Sequence, residues 1–428
     1  MIRKIKTRIE LIHMLCQAAE IEHQLLLIYL FSSFSLKQNI SEGGITEEQL
    51  QKIKSWKRRM VGVAIEEMTH LSIVSNLLTS IGGAPHFTRP NLPQDEPKYY
   101  PDGFRMDLIP FGREALQRFV AYEHPNNVKL IAPSFEKRKQ AKRKNMLQKI
   151  DSSQIVAAEI TYHTIHDLYS CIRKGFELLA AINPSRLFIG NEKSQLTNSK
   201  HLRLFKELIP VCNLNAVEQS IEIILEQGEG NNSDIEGHFK VFKDILEEYE
   251  AELKSSQENN KAFEPARPCI ENPFLHQPSD SSSVNIITDE FTAEVSLLFN
   301  ASYDLMMKII VRAFAHHEET NEEIALLADV FISFMHDVIS PLGELLTTLP
   351  AGKHFPGKTA GPSFEFSRDL HLIPHKNPAW IIFVEEMEML SAFAAEISID
   401  ELSSENCKII LVDVAEKMKG FAGKLRRD

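Results

Sequence analysis

In the stretch Val63–Gly83, VAIEEMTHLSIVSNLLTSIGG, two carboxylates and an imidazole interrupt a run that is otherwise apolar. Burying an ionised carboxylate costs several kcal/mol unless something compensates it. Either this helix is less buried than it reads, or a cation waits beside it. Glu67 and His70 are three residues apart, about 300° around a helix, so they project to one side. Glu66 lies one turn before His70. A Glu–His pair at this spacing on a buried helix is the ligand unit of two-metal carboxylate bundles, in which other helices add further glutamates. Carboxylates bridge hard or borderline cations and neutralise them, and imidazole suits iron or manganese. One such pair is common by chance as a surface ion pair, so other segments must supply the remaining donors.

Three segments do. AEIEHQLLLIYLF carries Glu22 in an apolar stretch, with Tyr29 seven residues later on the same face. AAEITYHTIHDLYSCI brings Glu159, His163, His166 and Asp167 within about one helical stripe. IEIILEQGEG places Glu226 and Glu229 three apart, and His238 follows a glycine-containing break. Tyr29 and Glu66 are the candidates for catalytic groups beside these ligands. The bland reading of any one of these residues is a satisfied core or surface group; the set together argues for a metal. The pair His316–His317 with Glu318 and Glu319 reads instead as a solvated helix end.

The elements that must position these groups are helical. The periodicity predicts helices over about 8–36, 46–81 (with a capping box from Thr46 to Gln49), 116–122, 154–181, from 215 to the break, and 234–254. The first is apolar nearly all round and belongs inside a bundle. A Pro-rich connection follows Gly82–Gly83, and the basic segment 136–149 reads as a solvated face or linker. Polar Pro/Ser-rich sequence over 255–284 marks a linker between a first domain, 1–254, and a second, 285–428. The second holds two amphipathic helices, a Gly/Pro loop and two last helices over about 378–397 and 406–424. The expected fold is all-α: a four-helix bundle with a second, C-terminal helical domain.

Bulk properties exclude some functions. The chain has 428 residues, 43% of them apolar and 25% charged, and a net charge of −12. That balance argues against nucleic acid as a partner. Five scattered cysteines without a CxxC read as reduced thiols in the cytoplasm. The N-terminus shows no signal-peptide pattern, and the apolar run LLLIYLF is too short to span a membrane.

The motifs AAEIEHQLLLIYL, VAIEEMTHLSIVSNLLTSIGGAP, FVAYEHP, TIHDLYSCI, LFIGN and EQGEG…HFKVF resemble the ferritin-like domain of iminophenylpyruvate dimer synthases. They extend over about 15–249. The resemblance implies a ferritin-like fold, two iron ions (or Fe/Mn) and oxidative work with dioxygen on amino-acid-derived substrates, as in violacein and indolocarbazole biosynthesis. It makes Glu22, Glu67 and His70 ligands, with Glu67 bridging. Asp167 stands where the family pattern TIGE has Glu; it binds directly or through water, or Glu159 or His163 substitutes. Glu226, Glu229 and His238 are the alternatives for completing the second half, since the glycine break keeps Glu226 and His238 from being a simple i, i+3 pair. A non-haem di-iron oxidase or oxygenase acting on a small molecule is the first expectation, with imino-acid coupling as its reaction and a homodimer as its assembly. The alternatives are a ferroxidase-type protein without an organic substrate, and a helical partner-binding protein that has lost its metal.

Overall fold

A computed structural model describes residues 5–94, 105–125, 164–198, 207–229, 237–278, 283–368 and 370–426. The helices are α1 Arg8–Phe34, α2 Glu47–Ser80, α3 Arg113–Tyr122, α4 Ile165–Ile182, α5 Pro184–Leu187, α6 Leu214–Glu229, α7 His238–Glu258, α8 Glu290–Phe314, α9 Asn321–Phe334, α10 Ser340–Leu346, α11 Lys376–Ser398 and α12 Glu405–Leu425. Strands are confined, among the described residues, to a two-residue parallel pair, β1 Pro273–Phe274 with β2 Asn285–Ile286. The all-α expectation holds.

Local sequence sets the boundaries of the helices that matter. Thr7 caps α1 and Thr46 caps α2, each in a reciprocal capping box with Glu10 and Gln49. Ser and Gly close α1 and α2: Ser35 follows α1, and Gly82 takes φ +83° just beyond α2, a left-handed turn that suits glycine. Thr164 caps α4, whose backbone donors begin at Asp167. The expected helical stretch 154–163 lies outside the described residues.

Helices α1 and α2 run antiparallel, since Arg8 Nη1 at the start of α1 donates to Ile81 O beyond the end of α2, at 3.0 Å. With α4 and α6 they form the bundle, and α3 and α7 pack together against it. Both long helices are buried over most of their length, so each needs an apolar partner on more than one side. Helices α8–α12 supply the second partner layer. One continuous hydrophobic core runs from Ile5 to Leu425 across both halves of the chain.

The stretch 255–284, expected as a linker, differs from that expectation. Helix α7 extends to Glu258, and the described residues beyond it are tied to the bundle. Arg267 N donates to Ser35 O at 2.8 Å, and its guanidinium reaches Phe34 O, Thr347 and Glu42. The segment is held by these hydrogen bonds together with the buried Cys269, Ile270 and Phe274, and its polar, Pro/Ser-rich composition conceals both.

By length and composition alone, Asn321–Leu346 is the one described segment apolar enough to cross a membrane. Leu327, Ala328, Val330, Phe331 and Phe334 on it are buried in the protein core.

The end of α2 is fixed by a close backbone approach. Gly190 N donates to Ser80 O at 3.0 Å, and a Cβ on Gly190 would lie 1.8 Å from Thr79 O. Gly190→Ala should therefore destabilise the protein by about 3 kcal/mol or more, read as a lower midpoint in urea unfolding. A change within about 0.5 kcal/mol would show that this contact is not held in solution.

Candidate metal centre

Glu67 and His70 point from α2 into the bundle, where Glu22 meets them from α1. All three are buried, with 1%, 2% and 1% of their surfaces exposed. His70 Nδ1 lies 3.2 Å from Glu67 Oε2 and 3.5 Å from Glu22 Oε2. On the other side of Glu67, His238 Nδ1 lies 2.9 Å from Glu67 Oε1 and 3.6 Å from Glu123 Oε2. The donors thus fall into two trios, Glu22–Glu67–His70 and Glu67–Glu123–His238, each with its atoms within 4.8 Å of one another. Glu67 belongs to both, one oxygen to each.

The second trio is assembled by packing over long sequence distances. Tyr29 of α1, Phe119 of α3 and Phe242 of α7 form an aromatic cluster with ring centroids 4.6–5.1 Å apart. That cluster holds Glu123, the residue closing α3, opposite His238, the first residue of α7.

Outside the trios, Glu22, Glu123, His70 and His238 are each anchored by a second hydrogen bond. The Tyr169 hydroxyl donates to Glu22 Oε1 and the Tyr29 hydroxyl to Glu123 Oε1. His70 Nε2 donates to Gln227 Oε1 at 2.9 Å, and His238 Nε2 donates to Glu66 Oε2 at 2.8 Å. With a proton on each Nε2, both Nδ1 atoms turn a lone pair toward the carboxylates. His238 Nδ1 is buried and has no aligned hydrogen-bond partner. Such an orphaned acceptor, facing two carboxylates, fits a cation.

Electrostatics point the same way. Burial works to raise Glu67, but the His238 and His70 imidazoles overcome it and hold this carboxyl well below its ordinary range. Burial and the neighbouring Glu67 push Glu22 up to about 8. Burial and Glu67 also raise Glu123. Burial opposes a charge on His70, yet Glu22 and Glu67 raise it to about 10, and Glu67 likewise raises His238 despite its burial. Without metal, protons take the places that the donors leave for positive charge.

The sequence expectations sort accordingly. Glu22, Glu67, His70 and His238 come together. Tyr29 and Glu66 lie one bond farther out, as positioning groups for Glu123 and His238. Asp167 is in neither trio. It occupies the first turn of α4, and α4 turns Tyr169 toward Glu22; two residues apart are about 200° around a helix, so Asp167 faces elsewhere. Glu226 is in neither trio either, since its neighbour Gln227 is the residue that reaches His70. The side chain of Glu229, and all of Glu159 and His163, lie outside the described residues. Glu123, Tyr169 and Gln227 were missed as site residues, although Glu123 stands within the quoted motif FVAYEHP.

A family model described as ferritin-like matches residues 15–247, more than half the chain. The chain belongs to the ferritin-like family. The match spans both trios. Among curated proteins, the chain is 27% identical over 407 residues to dichlorochromopyrrolate synthase of Lentzea aerocolonigenes, covering 88% of this chain and 38% of that protein. It is 25% identical over 382 residues to 2-imino-3-(indol-3-yl)propanoate dimerase of Chromobacterium violaceum, covering 84% and 34%. The chain therefore spans little more than a third of the length of these relatives. A crystal structure of a ferritin-like protein from Caulobacter vibrioides aligns with 16% identity and a TM-score of 0.45, over 77% of this chain and 96% of that one.

Glu66→Gln should weaken metal binding at the His238 side by about 10–100-fold, because it removes the charge that fixes the imidazole. Competition with a chelator of known affinity measures this. An unchanged affinity would make Glu66 a bystander.

Proposed function

We propose that this ferritin-like chain is a two-metal, dioxygen-dependent oxidoreductase that couples small amino-acid-derived imino acids. The observation that carries the reading is Glu67, one buried carboxylate shared by two Glu–His trios. Glu22, Glu67 and His70 hold one ion; Glu67, Glu123 and His238 hold the other. Two iron ions, or iron with manganese, fit this mixture of carboxylate and imidazole donors. Bound there, the pair supplies the capacity to reduce dioxygen with electrons taken from an organic substrate.

The residues of the chain have separable tasks. Glu67 spans the two positions. Tyr29 and Tyr169 fix the outer oxygens of Glu123 and Glu22, so the inner oxygens stay aimed at the cluster. Gln227 and Glu66 hold the imidazole rings by Nε2. Solvent reaches Glu66, with 44% of its side chain exposed. Its edge, between α2 and the start of α7, is the approach for a small substrate. The names of the two curated relatives support an indole-bearing imino acid. Five free cysteines support work in a reducing compartment, the cytoplasm.

The test is oxygen uptake by iron-loaded protein supplied with 2-imino-3-(indol-3-yl)propanoate, generated in place by an amino-acid oxidase. Metal-dependent uptake with a dimer detected by mass is expected. Iron-loaded protein that consumes no oxygen above the oxidase background, and forms no dimer, would overturn the reading.

A further inference from the structure

Helices α1 and α2 have a second buried side. A cavity of about 230 Å³ lies between them and helices α8, α9 and α10. It meets them on a side other than the one that carries Glu22, Glu67 and His70, none of which lines it. On α1, His23, Leu26, Leu27, Leu30 and Phe34 line it, centred about 100° around the helix from Glu22. On α2, Ala64 and Met68 line it, whereas Glu67 and His70 do not.

The wall has a distinctive chemistry. Among the described residues, no Asp, Glu, Lys or Arg lines it. Four methionines do, Met68, Met306, Met307 and Met335, and such side chains adapt to the shape of an apolar guest. Aromatic rings add flat surface, among them Phe34, whose ring fits because Gly343 has no Cβ; one there would lie 2.7 Å from Phe34 Cε2. The α9–α10 wall is widened by a π-helical turn, Met335–Ile339. Pro341 explains that turn, because it has no N–H to offer the carbonyl four residues before it.

A polar pair lies in the wall. His23 Nδ1 is 3.0 Å from Phe87 O and so carries the proton. His23 Nε2 is then an acceptor, and the Tyr303 hydroxyl donates to it. Tyr303 thereby spends its proton, and its oxygen, which also faces the buried Arg89 guanidinium, has only acceptor capacity left. At the rim, Ile65 and His336 are exposed, which gives an entrance.

A half-open apolar pocket of this size leaves its lining atoms short of dispersion partners, and an apolar cavity of about 150 Å³ is enough to take up benzene. We propose that this cavity is a binding site for a neutral, flat aromatic molecule of one or two fused rings, with one N–H or O–H donor accepted by Tyr303. Among the described residues no lysine or arginine lines the cavity, so its apolar wall fits a neutral ligand better than one with a free carboxylate. The site is thus distinct from the one that handles an imino acid, and it stands whether or not the metal-centre reading does.

Indole is the probe, with the full chain labelled on its methionine methyl groups. Titration should give saturable shifts at Met68, Met306, Met307 and Met335, and none at the distant core residues Met14 and Met418. Ile332→Trp fills the cavity from the α9 wall and should weaken binding at least tenfold. Tyr303→Phe should abolish a preference for indole over 1-methylindole, with metal content unchanged. Absence of saturable shifts at these methionines up to millimolar indole overturns the proposal, as does binding that persists in folded Ile332→Trp. Should Ile332→Trp fail to fold, the methionine shifts of the parent protein decide alone.

Discussion

Glu67→Gln is expected to strip both metal ions from the protein, whereas His70→Ala or His238→Ala should strip one each. Glu67 contributes Oε1 to the trio with His238 and Oε2 to the trio with His70. Gln keeps the volume and one acceptor oxygen but loses the charge that offsets two cations. Each histidine, by contrast, belongs to a single trio. Metal per chain, measured by elemental mass spectrometry on protein grown with iron, should fall from about two to near zero for Glu67→Gln and to about one for either histidine variant. Asp167→Asn serves as the control and should keep both ions, since Asp167 belongs to neither trio. Two ions retained by Glu67→Gln would sink the shared-carboxylate arrangement. Circular dichroism separates metal loss from unfolding.

How much of this centre the sequence discloses depends on how local each contact is. Glu22, Glu67 and His70 are legible because each interrupts an apolar helical pattern long enough to fix which side is buried. His238 is legible by residue type, but its helical phase is hidden by the break that precedes α7. Glu123 is different. It closes a ten-residue helix and is followed by His124 and Pro125, a pattern that reads as a surface turn. Its burial comes from Tyr29, Phe119 and Phe242, three rings from distant parts of the chain, which no local pattern encodes. Asp167, which is in neither trio, shows the converse. Acids are favoured in the first turn of any helix by its backbone donors, so an Asp three residues after a Thr cap carries little information about metal. The segment after α7 is bound to the bundle by Arg267 through polar contacts that a hydropathy pattern does not register.

Metal-free protein should lose stability as the pH rises from about 7 to 10, and bound metal should abolish that loss. His70, ordinarily near 6.5, is held at about 10 in the fold against the pull of burial, by Glu22 and Glu67. Its contribution is complete below 6.5 and disappears as the pH rises through 10. Glu22, ordinarily near 4.5, is raised to about 8 by burial and by Glu67. The fold prefers its acid form, so this contribution is complete below 4.5 and is lost as the pH rises through 8. His238 is raised as well and acts with the same sign. Glu67 is lowered, so its contribution is lost only on acidification and does not enter this window. Between pH 7 and 10 the folded chain therefore binds more protons than the unfolded chain, and the unfolding free energy falls with pH. At about 1.4 kcal/mol per pKa unit, the fall amounts to several kcal/mol. Cations at the two positions displace those protons, which removes the slope and makes metal binding at pH 7 a proton-releasing reaction. Urea unfolding at pH 7, 8, 9 and 10, with and without a chelator, measures both curves. A metal-free curve that stays flat or rises would mean that the imidazoles and carboxylates do not share protons as this geometry requires. His70→Gln should flatten the metal-free curve in part, because it removes the raised His70 imidazole while leaving Glu22 and His238 in place.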